Sequence, residues 1–376
     1  MSSLSLQEVV TAKELKLFID FPHDLYRGDP NYVPELFMAQ KDLLNKKKHP
    51  FFEYGELTAY LAYQDNRIVG RIAAIKNPAY NDYHNSSIGF FGFYDYIDSS
   101  EVAKALLDQA KAKLKSENFT QLMGPVNFST NETAGTLVAG FDSPPKVMMT
   151  YNKPYYDRIQ KQIGLTKEMD LFAFFIPTYE ASERSIKMSN IILQRLERQG
   201  ITIRNLNIKK IKEEAPQLRA AYNAAWEKNW GFVPMNEKEF SVLVSDLKLI
   251  ADGDFAYVAE HEGKIVGFSV SLPDVNEIII NFKKGRLFPF NIIKLLLNKK
   301  KVKSVRIITT GVIEGYRKKG IEAIFFAKNI QQARERKLIG GEASWILESN
   351  KEMVLAAEKL NGEKYKTYRL YTCPAS

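Results

Sequence analysis

The chain repeats itself, and a duplicated sequence has to be read as two similar folding units before any single element is assigned. Ala59–Gly70 (AYLAYQDNRIVG) aligns without a gap with Ala256–Gly267 (AYVAEHEGKIVG), an offset of 197 residues. Upstream, Tyr32-Val33-Pro34 matches Phe232-Val233-Pro234 at an offset of 200; downstream, Tyr155–Gly164 matches Val354–Gly362 at 198. Three matches in the same order at nearly one offset mark a tandem repeat. The boundary is expected near residue 180, giving domains 1–180 and 181–376, which a length of 376 residues accommodates.

Each copy carries the same succession of patterns. A helical region (12–44; 213–250) precedes two alternating apolar runs that meet at Asp65-Asn66 or Glu262-Gly263, residues suited to tight hairpin turns. The hairpins are expected over 57–75 and 255–272. A third strand follows (88–97; 304–312), then an amphipathic helix (102–114; 321–334), a strand, a helix and a last strand. The order predicts an α/β (α+β) fold with a mixed, twisted sheet flanked by helices in each copy.

The net charge of +9 is a local property. Between residues 283 and 303 stand Lys283, Lys284, Arg286, Lys294, Lys299, Lys300, Lys301 and Lys303, with no acidic residue. The remainder of the chain is nearly neutral. A single cysteine, Cys373, rules out an intrachain disulfide and a cysteine metal cluster, and fits the cytoplasm. No run approaches 18 apolar residues and the first residues lack a signal-peptide pattern, so neither export nor membrane spanning is expected. The four histidines are scattered, and no metal is expected; Gly-x-Ser-x-Gly and P-loop patterns are absent.

In the second copy, Ile307–Ala323 (IITTGVIEGYRKKGIEA) resembles the acyl-CoA-binding segment of the GNAT acyltransferase superfamily. That superfamily carries Gln/Arg-x-x-Gly-x-Gly/Ala between a strand and the following helix, where free amides and the positive helix end attract the CoA pyrophosphate. The resemblance implies a cradle formed by Arg317, Lys318, Lys319, Gly320, Ile321 and Ala323, an amide near Val312 facing the acyl carbonyl, and Asn350 against the pantetheine arm. Two departures stand out: Glu322 occupies the sixth motif position, and Ala357 stands where the superfamily often has a tyrosine acid. The first copy, at Tyr94–Glu101, has no glycine, no basic pair and two aspartates, so it is expected to bind no CoA. Such a half serves as the acceptor site in Fem-type tandem GNAT transferases.

Nearly the whole chain resembles a bacterial tandem-GNAT family, through Gly92-Phe93-Tyr94, Gly124–Phe128, Asn131-Glu132, Gly140-Phe141-Asp142, Tyr151–Tyr156 and Lys366–Tyr371. That family is linked to ceramide-synthase-type acyltransferases. The resemblance implies transfer of an acyl group from acyl-CoA or acetyl-CoA to an amine, such as a sphingoid base, held as a small-molecule or lipid substrate. A catalytically decayed ligand-binding protein is the alternative, on the strength of Glu322 and Ala357.

Acyl transfer to an amine needs a base and an acid. Glu348, at the end of a strand beside the expected cleft, is one base candidate; Glu132 is another, with Tyr151 as acid. They stand with Asn127, Asn131, Asn152 and Tyr156, the candidate acceptor ligands, in or beside a polar stretch over 124–156. Loops dense in hydrogen-bonding groups carry function or satisfy their own backbone, and both readings stay open.

The basic run brackets an apolar one, Leu287–Leu297 (LFPFNIIKLLL), inserted where the first copy has only Asn77–Ser87. The pattern suits a peripheral contact with the inner face of a membrane. A core helix and a homodimer interface are its rivals; nucleic acid is disfavoured because no recognition motif accompanies it.

Overall fold

The computed structural model describes residues 4–375. The first half of the chain runs β1 (Leu4–Glu8), α1 (Ala12–Leu25), α2 (Phe37–Leu43), β2 (Glu56–Gln64), β3 (Arg67–Lys76), α3 (Pro78–His84), β4 (Ile88–Tyr96), α4 (Ser100–Lys115), β5 (Gln121–Gly124), β6 (Thr136–Ala139), α5 (Tyr155–Gln162) and β7 (Thr166–Pro177). The second half runs α6 (Glu183–Glu197), β8 (Ile201–Asn205), α7 (Ile211–Trp226), α8 (Glu237–Lys248), β9 (Ala256–His261), β10 (Lys264–Pro273), α9 (Asn276–Ile279), α10 (Asn291–Asn298), β11 (Ser304–Val312), α11 (Ile321–Glu335), β12 (Gly340–Leu347), α12 (Lys351–Lys359) and β13 (Glu363–Pro374). The repeated succession is present. Short β1 and β8 are additions that five-residue, half-exposed strands leave invisible to periodicity.

Local chemistry sets these boundaries. Thr11 and Glu14 form a capping box at the start of α1, as Asn236 and Glu239 do for α8, each satisfying helix amides that have no partner within the helix. Both hairpins turn through left-handed residues, Asp65-Asn66 and Glu262-Gly263, whose twist matches that of paired strands.

The chain forms two compact units. Unit 1 comprises residues up to Leu171, Ile279–Lys294 and the chain from Lys366; unit 2 comprises Phe172–Ile278 and Leu295–Tyr365. The segment lying beside β5 in unit 1 thus comes from the far end of the sequence, with Tyr371 opposite Gly124. It is fastened there by Arg369, which makes two hydrogen bonds to Asp170 at 2.7 and 2.9 Å.

In unit 1, β1, β2, β3 and β4 are antiparallel neighbours and β5 runs parallel to β4. Successive β3 residues face opposite ways: Gly70 meets Leu106 and Val102 of α4, while Arg71 reaches the Phe18 carbonyl of α1. Leu106 and Leu107 are sealed from solvent, each stabilising the unit by about 1.5–3 kcal/mol. In unit 2, β8, β9, β10 and β11 are antiparallel and β12 is parallel to β11. There, Gly267 meets Ile321 of α11, and Gly311 meets Ala225 of α7.

Candidate active site

In unit 1 the strands and α1 enclose a polar cavity of about 100 Å³. Its charged floor is Arg71 on β3 and Asp95 on β4, directly opposed in the strand register, with the guanidinium Nε 2.7 Å from a carboxylate oxygen. Both residues are buried. A buried pair survives only when further hydrogen bonds complete it. Arg71 also donates to Phe18 O at 2.9 Å, and Asp95 accepts from the hydroxyls of Tyr26 (2.8 Å) and Tyr156 (3.4 Å).

Aromatic rings wall the cavity. Tyr26 and Tyr32 stack at 4.6 Å, and Tyr151 meets Tyr26 edge-on at 5.8 Å. Tyr151 donates to both oxygens of Asp29 at 3.0 Å, and Lys153 lies 2.7 Å from that carboxylate. Burial pushes the Asp29 carboxyl up, but hydrogen bonds from Lys153, the Asn31 amide and Tyr151 outweigh it and hold its pKa below the usual range. Burial and Asp29 raise the Tyr151 hydroxyl, so it keeps its proton.

Glu35 also lines the cavity and keeps part of its surface in solvent. No hydrogen-bonding or ionic partner meets its carboxyl among the described residues. Protein crowded around the group displaces bulk water and raises its pKa; Arg71 opposes that shift and Asp95 adds to it.

Beside the cavity the sheet of unit 1 is closed. The β4–β5 pairing ends at Phe90 and Met123, where the chain turns through a cis Gly124–Pro125 bond and crosses between the strands. Val126 N donates to Phe91 O at 2.9 Å, and Asn127 Oδ1 accepts from Phe93 N at 2.9 Å. A Cβ on Gly92 would stand 2.0 Å from Val126 O, so only glycine fits there. The following helix is closed too, because the Ser99 side chain accepts from Val102 N and caps α4.

Unit 2 is open at both places. The β11–β12 pairing ends at Ile307 and Ala343, and Ile308–Gly311 continue half-buried with no partner on β12. The helix after β11 starts at Gly320 with no side-chain cap. Among the described residues, the amides of Arg317–Ala323 reach no backbone carbonyl; that of Glu322 meets its own carboxylate. Successive amides without acceptors at a helix start form an anion cradle.

No family model matches the chain. It is 36% identical over 380 residues to a protein of Caulobacter vibrioides named bacterial ceramide synthase, covering 98% of this chain and 97% of that one. It is 35% identical over 364 residues to protein YghO of Escherichia coli, covering 95% and 92%. The chain belongs to the tandem GNAT acyltransferase family. The fold agrees: a tandem GNAT protein from the clavulanic acid biosynthesis pathway superposes with a TM-score of 0.57 at 11% identity, covering 100% of this chain and 99% of that one. A GCN5-related N-acetyltransferase from Sphaerobacter thermophilus gives 0.53 at 11% identity, covering 99% and 96%.

The family segment 312–323 lies at the open end of unit 2, though its residues divide their work. Val312 is buried opposite Gly267, so the strand opening lies at Ile308–Gly311 rather than at Val312. Arg317 donates to the carbonyls of Val312 (3.1 Å) and Ala225 (2.8 Å) and shapes the loop. Lys318 is solvent-facing, 3.9 Å from Glu352, and the Lys319 ammonium lies 5.0 Å over the Tyr316 ring. Gly320 adopts φ +91° and lets Ile192 of α6 approach closely, so packing demands the glycine as much as ligand access does. Ile321 is buried and Ala323 exposed. Burial raises the pKa of Glu322, against the opposing pull of its own amide and of Arg317. Asn350 caps α12 by accepting from Met353 N, and Glu348 lies half-buried in the turn after β12.

Of the unit 1 candidates, Asn127, Tyr151, Asn152 and Tyr156 line the cavity; Glu132 and Asn131 are not among its lining residues. Glu132 accepts from Ser129 N and Oγ (3.1 and 2.7 Å), and Asn131 N donates to Ser129 Oγ, so this part of the polar stretch fastens its own turn. Asn152 acts as a substitute strand, bonded to Leu137 N and O. Tyr26, Tyr32, Glu35, Arg71 and Asp95 are additions to the expected set. For Arg71 and Asp95 the signal in the sequence is a charged residue inside an otherwise apolar run, IVGRIAAI and GFFGFYDYI.

Proposed function

We propose that the chain is an acyl-CoA-dependent N-acyltransferase in which unit 2 holds the acyl donor and unit 1 receives the amine, a long-chain base of the sphingoid type. The observation that carries the reading is the open strand pair and uncapped amide run of unit 2, set against their closed counterparts in unit 1. The amides of Arg317–Ala323, with Lys318 and Lys319, suit a pyrophosphate, and the Ile308–Gly311 edge suits an acyl-pantetheine chain. The unit 1 cavity is far smaller than sites that enclose whole drug-sized ligands, so it suits an amine headgroup whose chain stays outside. The name of the Caulobacter relative supports a ceramide-forming reaction.

In this reading the ammonium enters among Tyr26, Tyr32 and Glu35. The Glu35 carboxylate takes its proton, since a partly desolvated carboxyl of raised pKa is a stronger base than a solvated one. The amine nitrogen attacks the thioester carbonyl, the carbon–sulfur bond breaks, and an amide and CoA thiol result. Glu348, the donor-side carboxylate, is the rival base.

Titration of palmitoyl-CoA and CoA by calorimetry tests the donor site. Wild type is expected to bind both, and Lys318→Glu with Lys319→Glu to weaken both about tenfold, the loss of one or two charge-assisted contacts at an exposed site. Absence of binding to any acyl-CoA returns the chain to the non-catalytic ligand-binding reading. For the base, Glu35→Gln is expected to lower kcat at least 100-fold with acyl-CoA affinity unchanged, and Glu348→Gln to retain turnover. The reverse result moves the base to Glu348.

A further inference from the structure

The insertion between β10 and β11 is built as a platform. Its first part belongs to unit 1, where Arg286 donates to both oxygens of Asp20 at 2.8 Å and lies 3.5 Å over the Phe37 ring. Lys284 pairs with Asp24 at 2.8 Å. Gly285 packs so closely on the Glu35 carbonyl that a Cβ would stand 1.9 Å from it. These contacts fix the segment to α1 and to the Glu35 backbone. They also remove two of the eight basic residues from the free charge.

What the platform presents is apolar. Phe288 is 59% exposed, Phe290 78% and Ile293 56%, and α10 continues with Leu296 at 45% and Leu297 at 70%. Only Leu287 and Leu295 turn inward, so the core-helix alternative does not describe this segment. Exposed lysines flank the apolar tip along the chain, Lys283 before it and Lys300, Lys301 and Lys303 after it, with no carboxylate from 283 to 303.

We infer that Phe288–Ile293 is a docking surface for an anionic lipid bilayer. Aromatic and aliphatic side chains at the tip enter the interfacial layer while the flanking lysines meet negative headgroups. The charge pattern favours an anionic surface over the same segment of a second copy, which brings eight more basic residues and no carboxylate to pair with them. Docking in this way brings the Glu35 side of the unit 1 cavity toward the surface that supplies a lipid amine; that consequence rests on the proposed function, whereas the docking does not.

Vesicle sedimentation tests the surface without turnover. The full chain is expected to sediment with vesicles of 30% phosphatidylglycerol in phosphatidylcholine and to remain in solution with phosphatidylcholine alone. Phe288→Ser with Phe290→Ser is expected to lower the bound fraction at least tenfold while its circular dichroism and acyl-CoA affinity match wild type. Lys300→Glu with Lys301→Glu and Lys303→Glu is expected to lower binding in the same assay. Equal sedimentation of wild type and the phenylalanine variant overturns the inference. So does wild type that ignores anionic vesicles, or a phenylalanine variant that changes only the dimer fraction in light scattering. Because no step depends on acyl transfer, failure here leaves the enzymatic reading standing, and loss of acyl-CoA binding leaves this one standing.

Discussion

The two copies place different chemistry on one scaffold position. In unit 1 the register sets Gly70 against Tyr96 and Arg71 against Asp95; in unit 2 it sets Gly267 against Val312 and Phe268 against Gly311. The charged pair at the floor of the unit 1 cavity is therefore replaced in unit 2 by a phenylalanine and a glycine. That space is filled, because a Cβ on Gly311 would meet Ala225, Phe268 and Trp226 at 2.9–3.0 Å. The opposite holds for the strand gap and the helix start, closed in unit 1 by Val126, Asn127 and Ser99 and open in unit 2. Duplication leaves each copy free to lose the half of an ancestral site that the other retains. The two differences run in opposite directions, which is the pattern expected of the division of labour proposed above.

The sharpest way to break the comparison is to give unit 1 one wrong residue. Asp95→Asn leaves Arg71 buried opposite a neutral amide, whose NH2 must face either the guanidinium or the two tyrosine hydroxyls, donor against donor. Urea unfolding is expected to show a loss of about 4 kcal/mol, the range for a buried pair missing one partner. Converting the pair wholly to its unit 2 counterpart, Arg71→Phe with Asp95→Gly, is expected to cost less than the single change, because no unpaired charge is left behind. That double variant is expected to bind acyl-CoA like wild type and to show no turnover. Retained turnover would separate the cavity from the acceptor site.

Gly92→Ala probes the closed gap. The added Cβ meets the Val126 carbonyl, a backbone atom held by the Val126 N–Phe91 O bond and the Asn127 bonds, so neither side can yield cheaply. Unfolding is expected to lose about 3 kcal/mol, the upper part of the usual cost of overpacking. Ile308→Val in unit 2, at the open gap, is expected to lose about 1 kcal/mol or less. Similar losses at the two sites would show that the gaps do not differ as described.

The strand-to-helix loop of unit 2 was legible in the sequence, and the unit 1 cavity only in part. Arg317–Gly320 and the hairpin turns are contiguous, and contiguous chemistry survives as a pattern; the matched offsets then supplied the two-copy architecture. The cavity draws Tyr26 and Glu35 from the α1–α2 region, Arg71 from β3 and Asp95 from β4, residues up to 69 apart in hydrogen-bonded pairs. Only strand register brings these together. Part of the polar stretch 124–156 holds its own backbone: Glu132 accepts from Ser129 N, Ser129 Oγ from Asn131 N, and Asn152 from Leu137 N. The basic run showed its charge but not its fastening: nothing in the sequence tells that Lys284 and Arg286 face inward to Asp24 and Asp20 while Phe288 and Phe290 face out.

A smaller effect distinguishes the units by pH. His23 on α1 is buried, with its Nδ1 2.9 Å from the Tyr32 hydroxyl, and burial together with Arg71, Arg286 and Lys284 lowers its pKa to about 4, against a weaker upward pull from Asp24. An unfolded histidine titrates near 6.5. Between those values the unfolded chain takes up a proton that the folded chain refuses, so stability present at neutral pH is lost as pH falls through this window. At pH 5 the loss from this group is expected to be about 2 kcal/mol relative to pH 7.5, read as a lower urea midpoint. His23→Gln keeps a hydrogen-bonding side chain and removes the titration, so its midpoint is expected to fall less over the same range. An equal fall in both proteins would place the acid sensitivity in carboxylates elsewhere and return His23 to an ordinary core residue.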